Sequence, residues 1–516
     1  MKIFNKIKSR IKIFLLFFLL TTNIIPQTFD GYTLFCPNMS RYTYLIDMNN
    51  QIGHTWTHTK TGGYSCYLLE DGSLLRSATS SNSQLNGGGA MGIVQKIAWN
   101  GTLLWEYTYS SNTYRTHHDI EPLPNGNVLL IAWEVKTATQ AVQAGLNHSA
   151  VIWPDHIIEV QPVGSTGGNI VWEWHFWDHL IQDYSSAKDN YGVVADHPEL
   201  LDINVGSGGQ GDWTHINGIS YNPTLDQIVI SSHELDEIYV IDHSTTSLEA
   251  AGHTGGNSGK GGDILYRWGS PSNYDAPGSQ VFNVVHSSVW IPDSLDGGGD
   301  IMAFNNREGQ STSIVQEIVP PRVDIYNYSW TSGNAYEPSS TFWSYTGSGF
   351  YSNHLGGCQR LPNGNTLIVE STSGFLFEVN SAGSTVWSYN RGQEVVRALR
   401  YAPNYPGLAV ISDVEKENVI PTEFKLEQNY PNPFNPSTNI KYVISSNAFV
   451  TLKVYDALGN EVTTLVNEEK SAGNYDVRFD ISKLSANTQG GLSSGIYFYR
   501  LQTGDLSITK KMTLVK

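Results

Sequence analysis

The feature that most constrains this chain is a motif that returns six times before residue 400. An apolar strand meets a Gly or Asn turn, and the next strand carries a tryptophan. It reads Leu45-Ile46-Asp47 leading to Trp56, Asn100-Gly101-Thr102-Leu103-Leu104-Trp105, and Gly168-Asn169-Ile170-Val171-Trp172. It recurs as Gly262-Asp263-Ile264-Leu265-Tyr266-Arg267-Trp268, Ser340-Thr341-Phe342-Trp343 and Gly383-Ser384-Thr385-Val386-Trp387. Several units add a second hairpin around a polar turn, as in Leu69-Glu70-Asp71-Gly72-Ser73, Leu123-Pro124-Asn125-Gly126-Asn127 and Leu361-Pro362-Asn363-Gly364-Asn365. Asn-Gly and Asp-Gly between apolar runs are hairpin signals. Four short strands per unit, repeated with little helix, predict an all-β chain built on a six-bladed β-propeller. A pair of β-sandwiches explains the tryptophan spacing less well. The units are uneven in length. The largest insertion lies between Trp172 and His215 and includes Gly206-Ser207-Gly208-Gly209-Gln210-Gly211-Asp212; long loops on a rigid scaffold tend to carry function.

Histidines recur with the units. His117 precedes Leu123 by six positions, His215 precedes Tyr221 by six, and His286 precedes Pro292 by six; His354 lies one position out of this register. Equivalent positions in successive blades point to equivalent places around a propeller axis, so these imidazoles are expected to converge at one channel mouth. A single histidine in a strand most often makes one satisfied hydrogen bond. Three neutral imidazoles with an open position would hold zinc, although no His-x-Glu-x-x-His spacing supports that. A third reading is catalysis, because imidazole is nucleophilic near neutral pH and, as the cation, stabilises an anionic group in transfer.

The ends of the chain read differently. Lys2, Lys6, Lys8 and Arg10 precede the apolar run Ile13 to Leu20. A basic segment before an apolar core shorter than the ~20 residues of a membrane span is the pattern of a secretory signal, assigned to residues 1–27. No later stretch is apolar enough to span a membrane. The formal charge of −17 over 516 residues argues against nucleic acid and anionic membrane as partners. Cys36, Cys66 and Cys358 make an odd count without metal-ligand spacing, so at least one thiol is free. A charged linker is placed at 413–423. After it, the alternation of Val450, Leu452 and Val454, then Tyr475, Val477 and Phe479, predicts a small C-terminal β-sandwich over 424–516.

Taken in order, His117-His118-Asp119-Ile120, Asp212-Trp213-Thr214-His215-Ile216-Asn217, Asp263 to Gly269, His286, Gln359-Arg360-Leu361-Pro362-Asn363-Gly364-Asn365 and Arg400-Tyr401 resemble the bacterial arylsulfate sulfotransferase family, over most of residues 30 to 412. The resemblance implies a propeller, here 28–412, that moves a sulfuryl group from an aryl sulfate to a phenolic acceptor without an activated nucleotide or other cofactor. By the same resemblance His286 is the nucleophile that becomes a sulfohistidine. His215 and Asn217 match the pair that steadies the sulfuryl oxygens, and His117 or His118 matches a further oxygen-binding histidine. His354 and Trp213 are the candidate substrate-binding side chains. One departure stands out: the best-known members place an arginine where this chain has His233, in Ser231-Ser232-His233-Glu234. The competing functional class is a secreted propeller that binds a glycan or peptide without turnover. At the C-terminus, Asn429-Tyr430-Pro431-Asn432-Pro433-Phe434-Asn435-Pro436, the Tyr455 to Gly459 turn, Ser494 to Tyr497 and the basic end from Lys510 resemble the type IX secretion sorting domain. That likeness implies export through the periplasm and outer membrane, with the secretion machinery as partner.

Overall fold

The computed structural model describes residues 27–82, 84–206, 211–409, 424–483, 492–504 and 506–516. The expected signal segment (all but residue 27), the linker at 413–423 and residues 207–210 of the largest insertion lie outside them. The chain divides into two compact units, Met1–Tyr405 and Pro406–Lys516.

The first unit is all-β and propeller-like. A seven-stranded antiparallel sheet runs in the order Val395–Tyr401, Tyr32–Pro37, Ser40–Ile46, Ile52–Leu68, Leu74–Thr79, Gly92–Ile97, Leu103–Thr108. Its long middle strand serves two groups of strands. Four four-stranded sheets follow, opening with Tyr114–Pro122, Ile216–Asn222, Val285–Trp290 and Gly357–Arg360. Those opening strands pack in series, from Ile52–Leu68 through to Val395–Tyr401 and back to Ile52–Leu68. The two ends of the unit are joined by strand pairing, Tyr32 opposite Tyr401 and Leu34 opposite Leu399.

The structure gives the repeated tryptophan a physical reason. Each indole N–H donates a hydrogen bond into the group of strands that follows. Trp56 reaches the Ala98 carbonyl at 3.2 Å, Trp105 that of Gly167 at 2.8 Å, and Trp172 the Thr245 hydroxyl at 3.1 Å. Trp268 reaches the Pro338 carbonyl at 2.8 Å, Trp343 that of Ser381 at 3.4 Å, and Trp387 returns to Met48 at 3.2 Å. Sheets stacked face to face bury apolar area without fixing their spacing. A large ring with one directional donor does both. Trp387→Phe keeps most of the buried ring and removes the bond that ties the last sheet to the first. We expect it to cost about 1 kcal/mol, seen as a lower urea midpoint at unchanged slope; an unchanged midpoint would show that this bond does not contribute.

The polar turns form as their residues require. In the three that the sequence singles out, Gly72, Gly126 and Gly364 lie at φ of 79°, 87° and 83°. Each donates its N–H to the leucine three residues back, at 2.9 Å. The preceding Asp71, Asn125 or Asn363 accepts the backbone N–H two residues on. This is a turn followed by a left-handed glycine, the usual three-residue hairpin.

Among its described residues the second unit holds seven strands in two sheets. Lys425–Leu426, Ser437–Ile444 and Gly473–Asp480 form one; Glu461–Lys470, Ala448–Tyr455, Gly495–Thr503 and Leu506–Leu514 form the other. Ile440, Tyr442 and Ile444 share one core with Val450, Leu452, Val454, Tyr499 and Leu501. The asparagine- and proline-rich motif is anchored there. Asn429 N–H donates to the Tyr499 hydroxyl at 2.8 Å, that hydroxyl donates to the Glu427 carbonyl at 2.7 Å, and Phe434 is buried. Among the described residues no helix is long and apolar enough to cross a membrane.

Candidate functional site: a row of imidazoles on the inner strands

Three of the opening strands are irregular where they carry histidine. Tyr114–Pro122 pairs Thr116 with Ala132 and Ile120 with Leu130, so His117, His118 and Asp119 fall in a bulge. His215 stands one residue ahead of Ile216–Asn222, and Val285–Trp290 slips register between His286 and Val289. His118, His215 and Ser287 have φ of 47°, 46° and 51°. A left-handed non-glycine residue costs roughly 1–2 kcal/mol. Strain of this kind, held in place by surrounding structure, concentrates at functional sites, and bulges re-aim side chains.

Five imidazoles form a continuous row. His117 and His118 face one another with their Nδ1 atoms 2.9 Å apart. The rings of His118 and His215 are 4.7 Å apart, those of His215 and His233 4.8 Å, and those of His233 and His286 5.5 Å. Asn217 is buried in the wall of the same small cavity as His118 and His286, which Tyr64, Asp119, Ser287, Leu355, Gly356 and Arg397 complete. Its side-chain amide donates to the Val285 carbonyl at 2.7 Å and accepts from the Ser231 hydroxyl.

Hydrogen bonds fix which nitrogen of His286 carries the proton. The Asn306 amide nitrogen donates to the carbonyls of Ser352 and Leu355, at 2.8 and 2.6 Å. Its oxygen must then be the atom facing His286 Nδ1 at 2.6 Å, so Nδ1 carries the proton. The lone pair is left on Nε2, which meets only the Leu355 N–H, at 3.3 Å. Burial, and then the charge on His233 when protonated, holds the His286 imidazole well below its ordinary range, against the Asn306 bond. It is a neutral ring whose proton-free Nε2 accepts only the long Leu355 N–H bond.

The other rings are held by carboxylates or by burial. His117 Nε2 lies 2.6 Å from Asp155, stacks on Trp133 with centroids 4.0 Å apart, and is lowered to about 3 by burial. Asp155 also accepts the Thr214 hydroxyl at 2.6 Å and the Ile216 N–H at 2.7 Å. Burial, then His215 and His117, pushes His118 well down. His215 Nδ1 lies 2.7 Å from Asp212, whose other oxygen accepts the Trp133 indole N–H at 2.6 Å. His233 Nδ1 is 3.0 Å from Glu234.

Two of the named residues lie elsewhere. His354 is largely exposed and is bonded to Asn353 and Glu394 at 2.7 and 2.9 Å, although its neighbour Leu355 reaches the cavity. Trp213 is 1% exposed. It spends its indole N–H on the Val205 carbonyl at 2.9 Å and packs in the apolar core, so its role there is packing.

Sequence reasoning missed several parts. Asp155 and Arg397 come from other strands, Asn306 follows the strand Ile301–Asn305, and none of them carries a spacing signal. Arg397 donates to Asp119 at 2.8 Å and to the Tyr67 hydroxyl at 2.7 Å, bringing a permanent cation to the cavity wall. Gly88 and Gly89 lie against the imidazoles, and Gly87 against Asp212 and Trp133. A Cβ on Gly89 would stand 2.3 Å from the His118 ring, and one on Gly88 3.1 Å from His215. This close approach of backbone to ring is why side chains are absent there.

Comparison with known proteins follows the two units. No curated protein matches the chain. Among solved structures it is similar to a Bacteroides caccae protein of unknown function, at 12% identity and a TM-score of 0.40, over 72% of this chain and 98% of that one. It is similar to virginiamycin B lyase from Staphylococcus aureus at 10% identity and 0.34, over 70% and 82%, and to the Dos1 propeller at 10% and 0.30, over 70% and 68%. Likenesses this distant carry no argument about chemistry. The secretion system C-terminal sorting domain matches residues 428–515. This type IX sorting domain marks the chain for export through the periplasm and outer membrane to a secreted or cell-surface state. The arylsulfotransferase (ASST) family matches residues 38–433, and the chain belongs to that family.

Proposed function

We propose that this exported protein is an aryl-sulfate sulfotransferase that works through a sulfohistidine on His286. The observation that carries the reading is the Asn306–His286 pair, which keeps the proton off Nε2 in the wall of a cavity that His118 shares; the long Leu355 N–H contact is given up when Nε2 attacks. In the first step Nε2 attacks sulfur. The sulfur–oxygen bond to the aryl group breaks, and its electrons leave with the phenolate oxygen. The positive charge that develops on the sulfated ring is stabilised through Nδ1–H by the Asn306 oxygen. In the second step the acceptor phenol loses its proton to solvent or to the phenolate released in the first step, its oxygen attacks sulfur, and the nitrogen–sulfur bond returns its electrons to Nε2. The three sulfuryl oxygens carry spread negative charge, as in phosphoryl transfer. His215, His118 and Asn217 are the fixed hydrogen-bonding groups set around that charge. His233 stands where an arginine is expected, and Arg397 supplies a permanent cation to the cavity wall.

The same reading takes the first unit as six blades spanning 28–412, supported by six tryptophans that each bond to the next group of strands. It takes 424–516 as a sandwich, 413–423 as the linker and 1–27 as the signal. The family supports an aryl sulfate as donor and a phenol as acceptor.

The test is an assay of the purified protein with a chromogenic phenyl sulfate and a phenol acceptor, without nucleotide. Transfer is expected; a glycan or peptide bound without turnover would support the non-catalytic class instead. The pH dependence of the first step adds a sharper check. Burial lowers the His286 pKa, so Nε2 remains unprotonated as the solution becomes acid. The burst of phenol should change less than about threefold between pH 8 and pH 5, whereas an imidazole with the ordinary pKa near 6.5 would lose about 30-fold. A loss of the larger size would show that the nucleophile is not a depressed imidazole.

A further inference from the structure

A second group of donor atoms lies apart from the imidazole row, where two insertions meet. His179 follows the short turn Phe176–Asp178 that leaves the strand Gly167–His175; His253 and Asp263 lie in the connection after Glu237–Asp242. Their ligand atoms all fall within 4.8 Å of one another. His179 Nδ1 is 3.0 Å and His253 Nδ1 2.7 Å from the same Asp263 oxygen.

The hydrogen bonds leave this group unbalanced. His179 Nε2 faces the Ala250 carbonyl at 2.8 Å. A carbonyl only accepts, so Nε2 carries the proton. Its Nδ1 faces a carboxylate oxygen at 3.0 Å, in a place where the histidine is fully buried. Either a proton or a metal ion balances that contact, and the same oxygen also faces His253 Nδ1. The arrangement around His179 has the form of a metal ligand's surroundings. Its far nitrogen donates to a backbone carbonyl, and its ring lies parallel to that of Trp174 at 5.7 Å. Gly262 leaves the room: a Cβ there would fall 1.9 Å from the Ala250 oxygen and 2.6 Å from His179 Nε2. His253 is 61% exposed, so the third side of the group is open to solvent.

We infer that His179 Nδ1, His253 Nδ1 and the Asp263 carboxylate bind one zinc ion, with water in the open position. Two imidazole nitrogens and one carboxylate suit a borderline cation; calcium and magnesium prefer oxygen alone. Tetrahedral zinc with bonds of about 2.0–2.1 Å sets its ligand atoms roughly 3.3 Å apart, a small opening of the present contacts. The ion would pin two insertions of neighbouring sheets to each other.

The test is calorimetric titration of the untagged, chelator-treated full chain with zinc chloride, followed by cobalt substitution. One equivalent is expected to bind, and cobalt should give the visible absorption of a four-coordinate site. His253→Ala, at an exposed position that leaves folding intact by circular dichroism, and Asp263→Asn should each weaken binding at least tenfold. His215→Ala should bind as the parent does. Absence of saturable binding would overturn the inference, as would binding that persists in both variants or that is lost with His215.

Discussion

His286→Ala is expected to abolish sulfuryl transfer, with a fall on the order of 10⁴-fold or more, while the circular dichroism spectrum stays that of the parent. Such a loss corresponds to about 5.5 kcal/mol of barrier. The size follows from what is removed. Alanine takes away the atom that forms the covalent bond, and no other ring in the row is held in the same way. His118 is buried and spends Nδ1 on His117, and His215 is paired with Asp212. Loss of one oxyanion donor costs less, typically ~3 kcal/mol. His215→Ala should therefore slow transfer and still permit the covalent step. If His286→Ala retained more than about one hundredth of the parent rate, the nucleophile would be another residue.

Asn306→Leu is expected to lower the rate on the order of 10³-fold, a size in line with other variants that misplace a catalytic imidazole proton. Asn306 touches no reacting atom in this account; it is a positioning residue. Its oxygen holds the proton on Nδ1 of His286, and its nitrogen ties that oxygen in place through Ser352 and Leu355. Leucine has similar volume and no acceptor. The ring is then free to carry its proton on Nε2, where it blocks attack, and the charge on the sulfated ring loses its partner. A purely structural role would change stability and leave the pH profile of the burst unaltered. The positioning role predicts a smaller burst rate at every pH and little change in donor affinity. A rate within tenfold of the parent would remove Asn306 from the mechanism.

How far the sequence foretold these features depends on whether a feature repeats. The strand–turn–tryptophan motif was legible because every unit needs the same inter-sheet bond, so selection for one geometry writes the same letters several times. The Asn-Gly and Asp-Gly turns were legible for the same reason. The imidazole row was legible only in part. Equal counts back from the turn picked out His117, His215 and His286, but bulges of different size place them at different points on their ladders: His117 within a bulge, His215 before its strand, His286 opposite Phe304. A count along the chain does not see an inserted residue in a strand. Asn306 and Asp155 left no signal because their contacts cross between strands, 20 and 38 residues from the histidines they hold. Trp213 lies in the link between Gly211–Asp212 and Ile216–Asn222, where no strand alternation fixes its direction, and its ring turns into the apolar core. The run Gly87 to Gly89 holds no chemistry of its own; its meaning lies in the space a side chain would take, since a Cβ on Gly89 would stand 2.3 Å from the His118 ring.

The central claim is that the sulfuryl group rests on His286 Nε2 between the two half-reactions. The most direct test is peptide mass spectrometry of protein mixed with phenyl sulfate alone and quenched within the burst. The account predicts one added SO₃ on the peptide that contains His286, discharged when a phenol is supplied before the quench and absent from His286→Ala. An unmodified protein during active turnover, or the added group on a peptide carrying His118 or His215, would contradict it.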